Sequence, residues 1–459
     1  MSYGKKEEYL HILEKQIRCR KARSQVAEEI RGHMEEQEAF YLSEGMTREE
    51  AEEEAVKEMG DPVEVGVDMD RIHRPKMNWP AIAAIAFLSI LGLAIRCYLD
   101  IHVDTGDGAG FSVGSFAEGA AGMLAGLAVM AGVCFLDYTR IAYRARELMI
   151  TYFVLLAAGI GISVPVNGAR TFIVFHFLQV SVNVRMALLL FIPLYCGAVY
   201  RYRGEGYRGL LKGILWSAPM LAASLLYSLS AVNVLVPAAL IVLSAAVLKG
   251  YFKVNVKKAL FAIWGAFFSF LAGTVFFVLK FGADYQVMRI RVMLNPEGYG
   301  EENYQFYAVK KLLEGTRLVG KGVNFAEAAD TVPESMDFVL AYTAAYFGVL
   351  AAVFLAGAII LLFLRLLSCT WRQANRLGML MGIGCGAVLL TEIAWYVLIN
   401  MGIIIPGSSY CPFITYGNSG AAVTYILLGI LLSIYRYQNG ALEMKPGKTA
   451  LFGEKRCRE

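Results

Sequence analysis

The sequence predicts an all-α polytopic membrane protein with about ten transmembrane helices, preceded by a small soluble domain of three helices. Hydrophobic residues make up 57% of the 459-residue chain and charged residues only 18%, and the mean hydropathy is +0.50. A soluble globular protein has about 25% charged residues, so this chain is short of surface charge. Several apolar runs also reach the roughly 20 residues that a helix needs to cross a bilayer. Together these observations exclude a soluble enzyme, a disordered chain and a fibrous repeat.

The charge is divided unevenly along the chain. Residues 1–73 contain 19 acidic and 11 basic side chains, a net charge of −8, whereas residues 74–459 contain 20 acidic and 32 basic side chains, a net charge of +12. The two parts therefore face different surroundings, and the boundary lies near Pro75. We expect an acidic helical domain over residues 1–75, a membrane domain over 76–440 and a basic tail over 441–459.

The acidic segment has the pattern of three short amphipathic helices. Apolar side chains recur at helical spacing in the first two, at Leu10, Leu13, Ile17, Val26, Ile30 and Met34. Thr47 followed by Glu50 predicts a capping box at the start of the third helix. Gly60 followed by Asp61 and Pro62 predicts its end. The segment resembles the "permease prefix" domains that precede bacterial membrane proteins, which implies a cytosolic regulatory or docking role.

The membrane domain contains ten apolar segments that are candidates for spans. They lie near residues 79–99, 113–135, 147–164, 186–200, 209–229, 232–249, 259–281, 337–364, 377–401 and 418–435. The intervening short loops alternate between rich and poor in basic residues. Basic residues cluster in 136–146, 201–208, 249–258 and 365–376, whereas 100–112, 229–232 and 402–417 have none.

This alternation predicts the orientation of the chain in the cell membrane. Loops rich in Lys and Arg stay in the cytoplasm, so we expect both termini to be cytoplasmic. An even number of spans agrees with that. The longest loop, 282–336 between spans 7 and 8, is then extracellular, as is the loop 165–185. A long loop in a compact protein is usually functional, so we expect the chemistry at this face.

Acidic residues inside or next to a span are functional hypotheses by default because burial in the membrane is costly. Asp337 opens the eighth span directly after the long extracellular loop. It is either a plain N-cap aspartate or a general base facing a lipid-linked substrate. Glu392 lies inside the ninth span, where an interhelical hydrogen-bond partner is the simpler interpretation.

Five segments carry a family resemblance. They are "NGARTFI" (167–173), "DYQVMRIRVMLNPE" (284–297), "NYQFYAVKKLLEGTRLVGKG" (303–322), "VPESMDF" (332–338) and "PFITYGNSG" (412–420). Their order and spacing over residues 80–440 resemble the SEDS family (shape, elongation, division and sporulation) of FtsW, RodA and SpoVE. The resemblance implies a glycosyltransferase of peptidoglycan synthesis that polymerises lipid II at the outer face of the membrane. It also implies a class B penicillin-binding transpeptidase as partner, and a role in cell shape, division or sporulation that the sequence leaves open.

The resemblance also implies roles for individual residues. The catalytic aspartate of the family's Pro-Glu-x-x-Asp-Phe motif falls on Asp337, which would take the proton of the attacking sugar hydroxyl. The leaving pyrophosphate needs positive charge. The residues expected to bind substrate are Arg170, Arg185, Arg291, Lys310, Lys321, Glu334 and Ser419. The eight cysteines form no metal-ligand pattern, so no protein metal site is predicted. A divalent cation, Mg²⁺ or Mn²⁺, on the pyrophosphate stays open, and nothing indicates nucleic acid as a partner.

Several positions depart from the family pattern. A Glu and a Lys of one motif are replaced by Val182 and Arg185, and a paired glycine is replaced by Gly417-Asn418. One interpretation is a divergent polymerase. The alternative is a member that has lost turnover and acts as a lipid II binder or translocator, or as a regulatory scaffold for a cell-wall synthase.

Overall fold

The computed structural model describes residues 4–102, 113–166, 169–175, 180–282, 284–294, 304–323, 325, 337–373, 375–404, 407–415 and 417–438. Over these ranges the chain forms a large helical bundle, a small antiparallel sheet and a separate group of N-terminal helices. The all-α membrane fold that the sequence predicts is confirmed, and the sheet is an addition to it.

The N-terminal segment has four helices rather than the three that the sequence predicts. They are α1 (Lys5–Gln16), α2 (Arg20–Ser43), α3 (Arg48–Glu58) and α4 (Pro62–His73). The prediction of three helices is wrong because the Asp61-Pro62 pair, which can end a helix, here begins one. Asp61 accepts a hydrogen bond from the main-chain N–H of Val63, and Pro62 lies in the first turn, so the same pair starts a further helix.

The core of this segment follows the predicted spacing. Leu10, Leu13, Ile17, Val26, Ile30 and Met34 are all buried in one hydrophobic cluster, which is distinct from the core of the bundle. The predicted capping box is present: the Thr47 hydroxyl accepts from Glu50 N, and the Glu50 carboxylate accepts from Thr47 N at 3.1 Å. The acidic segment therefore has a core of its own.

The bundle begins at Trp79. Its helices are α5 (Trp79–His102), α6 (Val113–Phe135), α7 (Tyr138–Tyr143), α8 (Ala145–Gly159), α9 (Val184–Leu189), α10 (Phe191–Arg201), α11 (Gly206–Leu215), α12 (Ala218–Tyr227), α13 (Val232–Leu248), α14 (Val256–Phe281), α15 (Asp284–Leu294), α16 (Tyr304–Glu314), α17 (Val339–Phe347), α18 (Val349–Trp371), α19 (Arg376–Asn400) and α20 (Asn418–Arg436).

The chain is a multi-pass membrane protein. Among the residues described, nine helical segments are long and apolar enough to cross a bilayer. They occupy nine of the ten predicted places. The remaining one, α13, has 17 residues and contains Pro237, so at 1.5 Å per residue it is about 25 Å long, slightly less than the roughly 30 Å hydrocarbon core.

Helix α19 is buried along most of its length and forms the centre of the bundle. Glycines elsewhere let helices approach closely, as expected in a membrane. A Cβ added at Gly429 on α20 would lie 2.8 Å from the Cβ of Val133 and 2.9 Å from the Met130 carbonyl oxygen on α6. The α6–α20 packing therefore requires glycine at this position.

The predicted eighth span, 337–364, is divided by a sharp break at Gly348. This residue has φ +104°, and a Cβ there would lie 2.6 Å from the Leu318 carbonyl oxygen. The segment 317–322 binds along the break: Gly320 N donates to Phe347 O at 2.9 Å and Gly322 N donates to Ala345 O at 2.8 Å. Part of the long predicted loop is thus attached to α17 by main-chain hydrogen bonds.

A three-stranded antiparallel sheet occupies the predicted loop 165–185. Its strands are β1 (Ser163–Val166), β2 (Ala169–Phe175) and β3 (Val180–Asn183), in the order β1-β2-β3. Phe172 on β2 pairs with Asn183 on β3. Helix α9 begins at the next residue, Val184, so the start of α9 lies beside the sheet. The sheet brings the polar ends of β3 and α9 to the end of the bundle that carries Asp337.

Candidate functional site

The candidate site is a cavity of about 450 Å³ at this end of the bundle. Its walls come from β2, β3, the start of α9, the turn before α17 and the segment that leads into α20. The residues that matter for its chemistry are Asn183, Arg185, Asp337, Tyr410, Asn418 and Ser419. The cavity thus brings together three residues predicted from the sequence, namely Asp337, Arg185 and Ser419.

Asp337 is solvent-exposed and lines this cavity. The N-cap position of α17 is Phe338, so Asp337 precedes the position that the simple N-cap interpretation assigns to it. An exposed carboxylate at the mouth of a polar cavity can reach a substrate and accept a proton from it. The accessibility that a general base requires is therefore present.

The main chain around Asp337 is held by a buried side chain that sequence reasoning missed, Asn400 at the end of α19. Its Oδ1 accepts from Ala341 N at 3.1 Å. Its Nδ2 donates to the carbonyl oxygens of Asp337 at 3.5 Å and of Tyr396 at 3.0 Å. The signal that could have indicated this residue is a lone amide at the end of an otherwise apolar span. Asn400 fixes the turn that presents the Asp337 carboxylate.

Arg185 is paired with Glu392 inside the protein. The Arg185 Nη2 lies 2.7 Å from the Glu392 Oε1, and the two side chains are only 1% and 3% exposed. The sequence predicted one as a cation for substrate and the other as an interhelical partner, and the structure joins them. Arg185 therefore lines the cavity as a neutralised cation, with Glu392 reaching it from α19.

Ser419 joins the start of α20 to β3. Its hydroxyl accepts from Asn183 N at 3.0 Å and donates to Ser181 O at 3.4 Å. In the preceding segment, Thr415 Oγ1 accepts from Cys411 N at 2.8 Å. Burial raises the pKa of both Tyr410 and Cys411, so these two groups stay uncharged near neutral pH. This wall of the cavity is polar but carries no charge of its own.

The other predicted substrate-binding residues lie elsewhere. Arg170 is in β2, but its side chain and the whole of Glu334 fall outside the described residues. Arg291 is exposed on α15, and Lys310 is half-buried on α16. Lys321 is exposed, with its Nζ 5.0 Å from the centroid of the Phe325 ring and 5.3 Å from that of Tyr346. The structure does not place Arg291, Lys310 or Lys321 in the wall of the Asp337 cavity.

The described part of the chain brings no three His, Cys, Asp or Glu side chains together in a way that could hold a metal ion. The cavity offers one exposed carboxylate, one guanidinium paired with Glu392, and several hydroxyl and amide groups. Such a set can bind a polar group and accept a proton from it.

The fold and the site define a multi-pass membrane protein with a carboxylate-bearing cavity at one end of its helical bundle. A family model for FtsW, RodA and SpoVE, described as cell cycle protein, matches residues 80–440. The chain therefore belongs to the FtsW/RodA/SpoVE family, as its motifs predict.

Curated relatives of low sequence identity have names from the same family. The chain is 26% identical over 291 residues to a probable peptidoglycan glycosyltransferase FtsW of Coxiella burnetii, which covers 60% of this chain and 73% of the relative. A protein of the same name in Geobacter sulfurreducens is 25% identical over 174 residues, 37% of this chain and 47% of that relative. The Geobacter match thus extends over about half of the relative's length.

Solved structures support the fold. One, described as "Structural coordination of polymerization and crosslinking by a peptidoglycan synthase complex", matches with a TM-score of 0.64 and 18% identity, over 79% of this chain and 99% of the other. The rod shape determining protein RodA of Thermus thermophilus matches with a TM-score of 0.54 and 17% identity, over 79% and 97% of the two chains. At these identities the likeness concerns the fold alone.

Proposed function

We propose that this protein is a peptidoglycan glycosyltransferase that polymerises lipid II into glycan strands at the outer face of the cell membrane. The observation that carries the proposal is the exposed Asp337 carboxylate at a polar cavity of about 450 Å³. Family membership and the names of the curated relatives support the reaction class. The charge pattern of the loops supports an orientation with both termini in the cytoplasm and this cavity outside.

In the proposed reaction Asp337 is the general base. A sugar hydroxyl of the acceptor loses its proton to the Asp337 carboxylate as its oxygen attacks the anomeric carbon of the donor. The bond from that carbon to the pyrophosphate breaks, and undecaprenyl pyrophosphate leaves with the electron pair. General base catalysis of this kind contributes roughly 10²- to 10⁴-fold to a rate.

The leaving pyrophosphate gains negative charge and needs positive groups near it. Within the cavity the candidate is Arg185. Arg170, Arg291, Lys310 and Lys321 are proposed to guide or bind the lipid-linked pyrophosphate from the same face of the membrane, with Glu334 and Ser419 contacting the sugars. A Mg²⁺ or Mn²⁺ ion carried by the pyrophosphate would supply further positive charge.

The proposed partner is a class B penicillin-binding transpeptidase, which would cross-link the strands. The likeness of the fold to a chain from a peptidoglycan synthase complex supports such an assembly. The four-helix segment 4–73, with its own core and its acidic charge, is proposed as a cytosolic regulatory or docking module.

A second candidate function is lipid II binding or translocation without turnover. It is favoured by the burial and neutralisation of Arg185, because that leaves little free positive charge in the cavity. A translocator, however, needs polar groups along a path through the bundle. The buried ion pair that the described residues contain lies at the Asp337 end.

The two candidates differ in what purified protein does to labelled lipid II. The proposed function predicts glycan strands that a muramidase digests, formed in detergent or in liposomes. Binding or transport of lipid II across liposomes with no strands formed, in the presence of divalent cation and of a transpeptidase partner, would favour the second candidate and contradict the first.

A further inference from the structure

The buried ion pair between Arg185 and Glu392 adjoins the Asp337 cavity. Arg185 lies in the first turn of α9 and lines the Asp337 cavity, whereas Glu392 lies on α19, two turns before Asn400. The two charged groups are 2.7 Å apart and almost completely buried. One end of α19 thus supports both the turn that carries Asp337 and the cation that shares its cavity.

Stability alone is a weak reason for such a pair. Taking two charges out of water costs free energy that their attraction often does not recover, and well-packed apolar side chains can replace such pairs without loss of stability. The Arg185 Nη1 adds little to this balance, since its neighbour is the thioether of Met186 at 4.0 Å. The position of the pair beside the cavity is the better clue to its role.

The side chains that surround the Arg185–Glu392 pair are neutral or charged as follows. Tyr410 and Cys411 face Glu392 from the segment before α20, and both are neutral near neutral pH because burial raises each pKa. Arg96 lies near Tyr410 and donates from Nη1 to the Thr415 carbonyl at 3.3 Å. Tyr396 is the neighbour of Asp337 on α19. Among the described residues, the charges that line the cavity are therefore those of Asp337 and Arg185, with Glu392 and Arg96 behind its wall.

We propose that Glu392 is a positioning residue that holds the Arg185 guanidinium against the cavity wall and neutralises its charge, so that the Asp337 carboxylate keeps its affinity for a proton. Without Glu392, the uncompensated charge of Arg185 stabilises the ionised form of Asp337 and makes it a weaker base. The inference rests on the proposed function, because it assigns Glu392 a part in the same proton transfer.

The test is the pH dependence of lipid II polymerisation by the full-length protein. In E392Q we expect the rate near neutral pH to fall by roughly three- to tenfold, since a weaker general base is a slower one, and the acid limb of the pH–rate profile to move to lower pH. Two unit charges on the order of 10 Å apart, in an effective dielectric near 20, account for a displacement of about one pH unit. In E392D, which retains the charge, the acid limb should stay within a few tenths of a unit of wild type. A folded, active E392Q with the wild-type acid limb would overturn the inference.

Because E392Q leaves a buried cation unpaired, its folding is checked by thermal unfolding in detergent. If it is unfolded, the exchanged pair R185E/E392R decides the matter, since it keeps two opposite buried charges. A purely structural pair predicts the wild-type acid limb for the exchanged protein, whatever its rate, and that result would overturn the inference. The inference predicts the acid limb at higher pH, because an anion then lies on the cavity side and raises the proton affinity of Asp337. Inactivity of the wild type would instead contradict the proposed function.

Discussion

The side-chain oxygen of Asn400 accepts a hydrogen bond from the main-chain N–H of Ala341 at 3.1 Å, which fixes the first turn of α17 to the end of α19. The same amide donates to the carbonyl oxygens of Tyr396 and Asp337. A residue on the central helix therefore determines where the exposed carboxylate of Asp337 stands.

Replacing Asn400 by Leu should damage the site more than the fold. Leu has the same branched arrangement of side-chain heavy atoms but leaves a buried main-chain N–H and a buried carbonyl without their partner, which costs about 1–3 kcal/mol. A shift of the Asp337 turn should lower the polymerisation rate by roughly ten- to a hundredfold. Thr391→Val is the matched control, because the Thr391 hydroxyl bonds only carbonyl groups of its own helix. Equal rates for the two variants would contradict this role.

Gly348 should tolerate no side chain. Its φ of +104° disfavours other residues, and a Cβ would lie 2.6 Å from the Leu318 carbonyl oxygen. We expect Gly348→Ala to lower the free energy of unfolding by about 1–3 kcal/mol. Gly357→Ala, where a Cβ meets nothing within 4 Å, should be neutral or slightly stabilising. Thermal unfolding of both proteins in detergent measures the difference, and the same midpoint in both would contradict the strained break.

Asp61→Ala should loosen α4 while leaving the bundle unchanged. Asp61 accepts from Val63 N at 2.8 Å, and the loss of such a cap costs about 0.5–2 kcal/mol. Amide hydrogen exchange in α4 should accelerate by roughly two- to thirtyfold. Asp68→Ala, which removes only an exposed contact to Arg71, is the control. If exchange in α4 were already complete in the wild type, this segment would not be a stable fourth helix.

A bulky side chain at Gly429 should separate α6 from α20. The nearest atoms on α6 are the Val133 Cβ at 2.8 Å and the Met130 carbonyl oxygen at 2.9 Å from an added Cβ. Gly429→Leu should therefore lower the yield of folded protein and its unfolding temperature, as overpacking costs about 1–3 kcal/mol or more. Gly132→Leu places the same side chain on α6 with nothing within 4 Å of its Cβ and should behave like wild type. An intact Gly429→Leu protein would show that the helices pack less closely.

Much of the architecture follows from local sequence patterns. Apolar runs predict the spans because each has to be about as long as the bilayer is thick, and Asp337 is indicated by its motif and by its place after the long loop. The sheet was missed because strands of four to seven residues in a polar loop show little periodicity. The fourth N-terminal helix was missed because Asp-Pro can end one helix or start the next.

The contacts of the site could not be predicted in the same way. Arg185 and Glu392 are far apart in sequence and meet only in the folded bundle. Neither hydropathy nor helical spacing contains that pairing. Asn400 likewise looks like any polar residue at the end of a span until its three main-chain partners are in place. The structure thus adds the long-range pairing of polar groups to an order of helices that the sequence already predicts.

The most direct test of the central claim is the initial rate of lipid II polymerisation by Asp337→Asn relative to wild type. This change keeps the size of the side chain but removes the group that accepts a proton, so we expect a rate at least about a hundredfold lower with unchanged thermal unfolding. Glu147→Gln, at an exposed carboxylate in the first turn of α8, should retain the wild-type rate. A folded Asp337→Asn protein that polymerises lipid II at the wild-type rate would contradict the account.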